Sequence, residues 1–136
     1  MNPPDAAAEA RRTFDVATQC VALSVLEMEP ANATRRVGET TNPIIWQVGH
    51  LANHQDFALH RTQGSGVLPD SFQRFFAGGT DPQADLDEYP PFADVMDGYL
   101  LVTKASRGFL RDAGPADWGA TRRRPDGKLL GGGENL

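Results

Sequence analysis

The chain has one cysteine, Cys20, which excludes an intramolecular disulfide and any cysteine-rich metal site. It contains no apolar run of about 18 residues and no basic N-terminal region leading into one. That excludes a membrane span and a signal peptide and leaves a cytoplasmic location by default. Basic residues are not in excess: 13 Lys and Arg against 18 Asp and Glu give a net charge of -5, which argues against nucleic acid or a membrane surface as the main partner. The adjacent arginines Arg122 to Arg124 read as a solvated loop. No internal repeat is present, no serine stands in a nucleophile elbow, and Gly131 to Gly133 lacks the Lys-Ser/Thr that completes a phosphate loop.

What is present fits one domain. A chain of 136 residues, 40% hydrophobic and 23% charged, buries roughly two-thirds of its unfolded surface, enough for a core. Most of the 14 glycines and 10 prolines fall outside three long helix candidates, so irregular structure is plentiful.

The first candidate follows Asp5 as N-cap and runs to Met28 before Pro30. Phe14, Ala17, Val21, Val25 and Met28 form its stripe, and Val16, Leu23 and Leu26 widen it, as in a helix buried on more than one side. Cys20 lies at the stripe's edge and reads as a buried structural thiol, since no basic neighbour is there to activate it. The third candidate, opened by Pro91 and running from Phe92 to about Ala113, puts Val95, Met96, Tyr99, Val102 and Phe109 on one stripe, where the Tyr99 hydroxyl needs a partner. Between the second and third lies a long connection, Gly64 to Pro91, in which Pro69-Asp70-Ser71 predicts a short helical turn whose Phe72, Phe75 and Phe76 pin the loop onto the bundle. Its acidic residues Asp81, Asp85, Asp87 and Glu88 lack calcium-loop spacing. Pro125-Asp126-Gly127 reads as a turn, as in a small hairpin.

The second candidate carries the chemistry. Asn42 reads as N-cap and Pro43 as the first helical residue of NPIIWQVGHLANHQDFALHRTQG, ending at Gly64. Ile44, Ile45, Val48, Leu51, Ala52, Ala58 and Leu59 form a core stripe. The opposite sector gathers Trp46, His50, Asn53, His54, Phe57 and Arg61, which is not a plain solvated face and calls for something other than bulk water against it. All three histidines of the chain lie here, with His60 turned about 80° from His50 at 3.6 residues per turn. His50 and His54 at i and i+4 have the spacing by which helical imidazoles bind Zn, Ni or Fe, but two imidazoles are not a catalytic site, which needs a third protein ligand and an open position. Hydrogen-bonded interface histidines are the equal reading of the residues alone. Asp56 lies on another sector and does not reach the pair.

Pro43 to Ala52, Pro-Ile-Ile-Trp-Gln-Val-Gly-His-Leu-Ala, resembles the second-helix signature of the DinB-like superfamily, particularly the branch with the N-terminal domain of ergothioneine-biosynthesis sulfoxide synthases. The Phe-rich turn, the Gly-rich break and Tyr-Pro before the next helix extend the resemblance. It implies an all-α, up-and-down four-helix bundle. It also implies a metal held by one His at the Gly-His position of the second helix and two from an HxxxH pair on the fourth. Only His50 carries over as a metal ligand, with His54 a weaker candidate outside the family pattern and Trp46, Asn53 and Phe57 lining the pocket. No His follows His60, and Gly131 to Leu136 looks like the entry to a fourth helix, so the expectation is one domain over 1–136 that is C-terminally truncated. The implied activity is metal-dependent and thiol-linked, a transferase using a low-molecular-weight thiol. The rival expectation is a non-catalytic bundle fragment that self-associates, for instance as a homodimer.

Overall fold

The first long helix begins earlier and stops sooner than its sequence predicts. The computed structural model describes residues 3–25, 27–36, 38, 40–81, 88–113, 122–123 and 129–130. In it α1 spans Pro3–Val25, because proline in a first turn gives up only an N–H that has no helical partner anyway. Asp5 is therefore inside the helix rather than its cap. After Val25 the Met28 N–H bonds the Val25 carbonyl at 3.2 Å, and a single 3-10 turn over Pro30–Asn32 follows.

α1 packs mainly against α4, Phe92–Asp112, and the two run antiparallel, with Arg11 on the Leu110 carbonyl and Asp15 paired to Arg107. Two-sided burial is thus not what the helix has. Thr18 and Val25 are buried, whereas Val16 and Leu23 are 62% and 65% exposed. Cys20 is also exposed, not buried, since a helix packed along one side leaves the edge of its stripe in solvent.

α2 runs Ile44–Gln63, and its entry differs from the predicted Asn42 cap. Pro43 is extended at ψ 150 and takes the cap position itself, its carbonyl accepting the Gln47 N–H. The orphan Ile45 N–H is satisfied instead by the carbonyl of buried Ala33 at 2.9 Å, so the preceding loop caps the helix through its backbone. Asn42 contributes its main-chain carbonyl to Gln47 Nε2. At the other end Gly64 adopts the left-handed conformation, φ 85, and closes the helix on the His60 carbonyl.

The predicted helical turn is α3, Asp70–Phe76, which packs on α2 and meets α4 through the Phe72 ring at Gly98. Phe72 and Phe76 are 5% and 0% exposed, each worth about 1.5–3 kcal/mol of burial. Glycine makes room for both. A Cβ at Gly49 of α2 would overlap the Phe76 ring, and one at Gly98 of α4 would overlap the Phe72 ring. Ile45, Val48, Ala52 and Leu59 of α2 and Val95, Tyr99 and Val102 of α4 complete the core, while Leu51 stays exposed. The Tyr99 hydroxyl finds its partner in Thr103, and burial raises its pKa above the ordinary value despite that bond.

The described residues form an all-α bundle of three long helices and one short one, with the 3-10 turn Pro30–Asn32 and a two-residue antiparallel pair besides. In that pair β1, Arg122–Arg123, faces β2, Leu129–Leu130, with Arg122 opposite Leu130, which brackets the predicted turn. The turn itself, Asp85 and Asp87, and the expected helix entry at Gly131 to Leu136 lie outside the described residues.

Candidate functional site

The polar sector of α2 is covered as its composition requires, by α3 and the turn that follows it. Trp46, His50, Asn53, Phe57 and Arg61 are half-buried, and His54 is exposed. His50 is the best-defined member. Its Nδ1 lies 2.7 Å from the carbonyl oxygen of Phe76. A carbonyl has no hydrogen to give, so Nδ1 must carry the proton, and in the neutral ring Nε2 is left with a lone pair.

Two rings flank it. The Trp46 indole stacks on the imidazole, centroids 4.4 Å apart at 14°, and His54 meets it edge-on at 4.3 Å and 68°. Partial burial lowers the His54 pKa from its ordinary 6.5, and the charge of protonated His50 lowers it further.

Beyond His54 two clefts run between α2 and α3. One, of about 310 Å³, is lined by Asn53, His54, Phe57, Gln73, Ala77 and Gly78. The other, of about 430 Å³, includes Asp56, His60, Leu68 and Asp70 and shares Asn53, Phe57 and Gln73 with the first. The Asn53 amide donates to Gln73 Oε1 at 3.2 Å across the groove between them. Trp46 lies outside both linings and sits against His50. Asp56, as its sector implies, does not reach the histidine pair: its Oδ1 accepts the N–H groups of Val67 and Leu68 at 2.6 and 3.1 Å, and Oδ2 is 3.7 Å from His60 Nε2.

The Gly-His step on α2, seated under a phenylalanine-bearing turn, agrees with the comparison of the whole sequence, which matches the DinB superfamily over residues 5–134. The chain belongs to the DinB superfamily. No curated protein and no solved structure matches it.

A metal in this DinB-superfamily chain would have to fit the donors at hand. His50 fits as one ligand, because the bond from Nδ1 to a backbone carbonyl is the usual outer-shell arrangement that fixes the tautomer and turns Nε2 toward a metal. A third donor is not brought to the pair: among the described residues no three of His, Cys, Asp and Glu come together. His60 stays with Asp56, away from His50. The residues that sequence reasoning missed are the ones that build the site through the backbone or from the far side of the loop. These are Phe76 by its carbonyl, Gln73, and Thr80, whose hydroxyl accepts the Trp46 Nε1–H at 3.0 Å. Backbone acceptors leave no residue-type signal. Thr80, 34 residues from Trp46, had none either.

No helix among the described residues is long and apolar enough to cross a membrane.

Proposed function

We propose that this DinB-superfamily protein holds a divalent metal ion, Zn, Ni or Fe, through Nε2 of His50 and takes a low-molecular-weight thiol in the adjoining cleft. The observation that carries the reading is the His50 Nδ1–H bond to the Phe76 carbonyl, which leaves the neutral imidazole one lone pair, on Nε2. A bound divalent ion would lower the pKa of a thiol or water and so supply a nucleophile at neutral pH. The chain's own residues would do the rest. Asn53 and Gln73 offer amide donors and acceptors to the polar part of the thiol, and Phe57 offers an apolar wall. The reaction class suggested is thiol-linked group transfer. His54 as a second ligand belongs to the same proposal.

Equilibrium dialysis against Zn²⁺ tests it. Wild-type protein is expected to retain one ion per chain, His50→Ala to lose it, and His54→Ala to retain it at reduced affinity. On cobalt-loaded protein, added cysteamine is expected to raise a thiolate-to-metal absorption band that His50→Ala lacks. Wild-type protein that retains no metal overturns the reading.

A second reading is favoured by one observation, the exposure of Leu23 and Val16 on α1 and of Leu100 and Leu101 on α4, the last two at 51% each. Such apolar surface suits self-association into a homodimer without a working metal site. Concentration-dependent sedimentation that Leu101→Glu abolishes, in protein that binds no metal, would favour it.

A further inference from the structure

Trp46 touches the His50 site from two directions. Its indole face stacks on the imidazole, and its Nε1–H donates to the Thr80 hydroxyl at 3.0 Å. That hydroxyl in turn donates to the Ala77 carbonyl at 2.7 Å, an acceptor it shares with the Thr80 N–H at 3.1 Å. Its proton is thereby committed to the turn and a lone pair is left for the indole. Gly79, at φ 88, provides the left-handed residue that lets the chain reverse there. The segment Phe76 to Thr80 thus carries both the acceptor that His50 needs and the anchor that Trp46 needs.

This matters because one hydrogen bond does not orient a ring. An imidazole held only through Nδ1 can pivot about that bond, and the Nδ1–H form is the less favoured tautomer of a free histidine side chain. A near-parallel indole 4.4 Å away removes the pivot, provided the indole is itself fixed. Thr80 fixes it.

We propose that Trp46 and Thr80 are positioning residues, a brace that holds His50 in the Nδ1–H tautomer with Nε2 presented for coordination. The use of the brace rests on the metal-ligand reading of His50, but its test does not, because the tautomer is read on metal-free protein.

The experiment is an imidazole ¹⁵N correlation spectrum of metal-free protein at about pH 8.5, two units above the ordinary histidine value, where the rings are neutral. Wild-type His50 is expected as the Nδ1–H tautomer. Thr80→Val, which removes the acceptor at nearly constant volume, is expected to raise the Nε2–H share of His50 several-fold, and Thr80→Ser to restore it. Trp46→Phe keeps a stacking ring but no N–H and is expected to fall between, which supplies a second variant should Thr80→Val fold poorly. Zn²⁺ affinity should weaken about 10-fold in Thr80→Val, the scale of an outer-shell loss, and recover in Thr80→Ser. Wild-type His50 in the Nε2–H form overturns the proposal, and so does an unchanged tautomer in folded Thr80→Val and Trp46→Phe. If the tautomer responds as expected but no variant, wild type included, binds Zn²⁺, the brace stands and the metal reading falls. Zn²⁺ bound with the tautomer indifferent to Thr80 gives the converse.

Discussion

Phe76 serves His50 and its neighbour with two different parts of one residue: its carbonyl oxygen takes the His50 Nδ1–H at 2.7 Å, and its ring rests on Gly49, where no side chain stands in the way. The close approach of α3 to α2 and the orientation of the candidate ligand are therefore one geometric fact. Anything that lifts α3 from Gly49 withdraws the carbonyl.

Gly49→Ala should show this. Alanine gains about 1 kcal/mol of helix propensity, but a methyl pressed into a ring that is fully buried costs about 1–3 kcal/mol of overpacking, and the second term wins because Phe76 has nowhere to swing. Urea denaturation is expected to show a net loss of stability together with weaker Zn²⁺ binding. Gly78→Ala is the control. Its added methyl would meet His50 Cε1 at an ordinary 3.9 Å, so stability should change by less than about 0.5 kcal/mol.

Removing the ring itself tests the same contact from the other side. Phe76→Ala should cost about 3–5 kcal/mol, the usual range for deleting a buried phenylalanine, and Phe75→Ala, whose ring is only partly buried, distinctly less. Equal losses in the two variants would contradict the packing described.

Asp56 should matter for the loop rather than for the histidine pair. Asp56→Ala strips the acceptor from the Val67 and Leu68 amides and should cost about 1–3 kcal/mol, whereas Asp56→Asn, which keeps one acceptor oxygen, should cost less. Hydrogen exchange at those two amides should accelerate in Asp56→Ala, while Zn²⁺ binding at His50 stays unchanged.

Much of this was legible in the sequence, and what was not has physical causes. Periodicity predicted the long helices and a covered polar face on α2, and the Pro69-Asp70-Ser71 step predicted the Phe-bearing turn, because burial of apolar stripes and turn initiation are properties of residue type and spacing. The α2 cap was misread. Asn42 is a good capping residue, yet the Ala33 carbonyl reached the Ile45 N–H, and a main-chain acceptor twelve residues upstream has no signature. The burial expected for Val16, Leu23 and Cys20 failed for another reason. Periodicity reports that a face is apolar, and only the packing of α1 along α4 shows that no described element covers it. In the site, His50 and the shared walls Asn53 and Phe57 were visible as residues, while the Phe76 carbonyl and Thr80 belong to the tertiary arrangement alone.

The pH dependence follows from His54. Its folded pKa lies below the ordinary 6.5, chiefly from partial burial and then from the charge of His50. As pH falls, the unfolded chain takes up the proton first, so this contribution to stability is complete above about 6.5 and is lost as pH drops through the folded value. Stability should decline between pH 7 and 5 more steeply in wild type than in His54→Gln. By NMR titration His50→Ala should raise the His54 pKa only in part, since burial, the larger cause, remains.

The most direct measurement is the imidazole ¹⁵N spectrum of the wild-type protein during titration with Zn²⁺. A metal-ligand role for His50 predicts that its Nε2 resonance shifts to the metal-bound position at one equivalent while Nδ1 keeps its proton and its bond to Phe76. A His50 spectrum unchanged at several equivalents, or a Nδ1 that loses its proton to the metal, would contradict it.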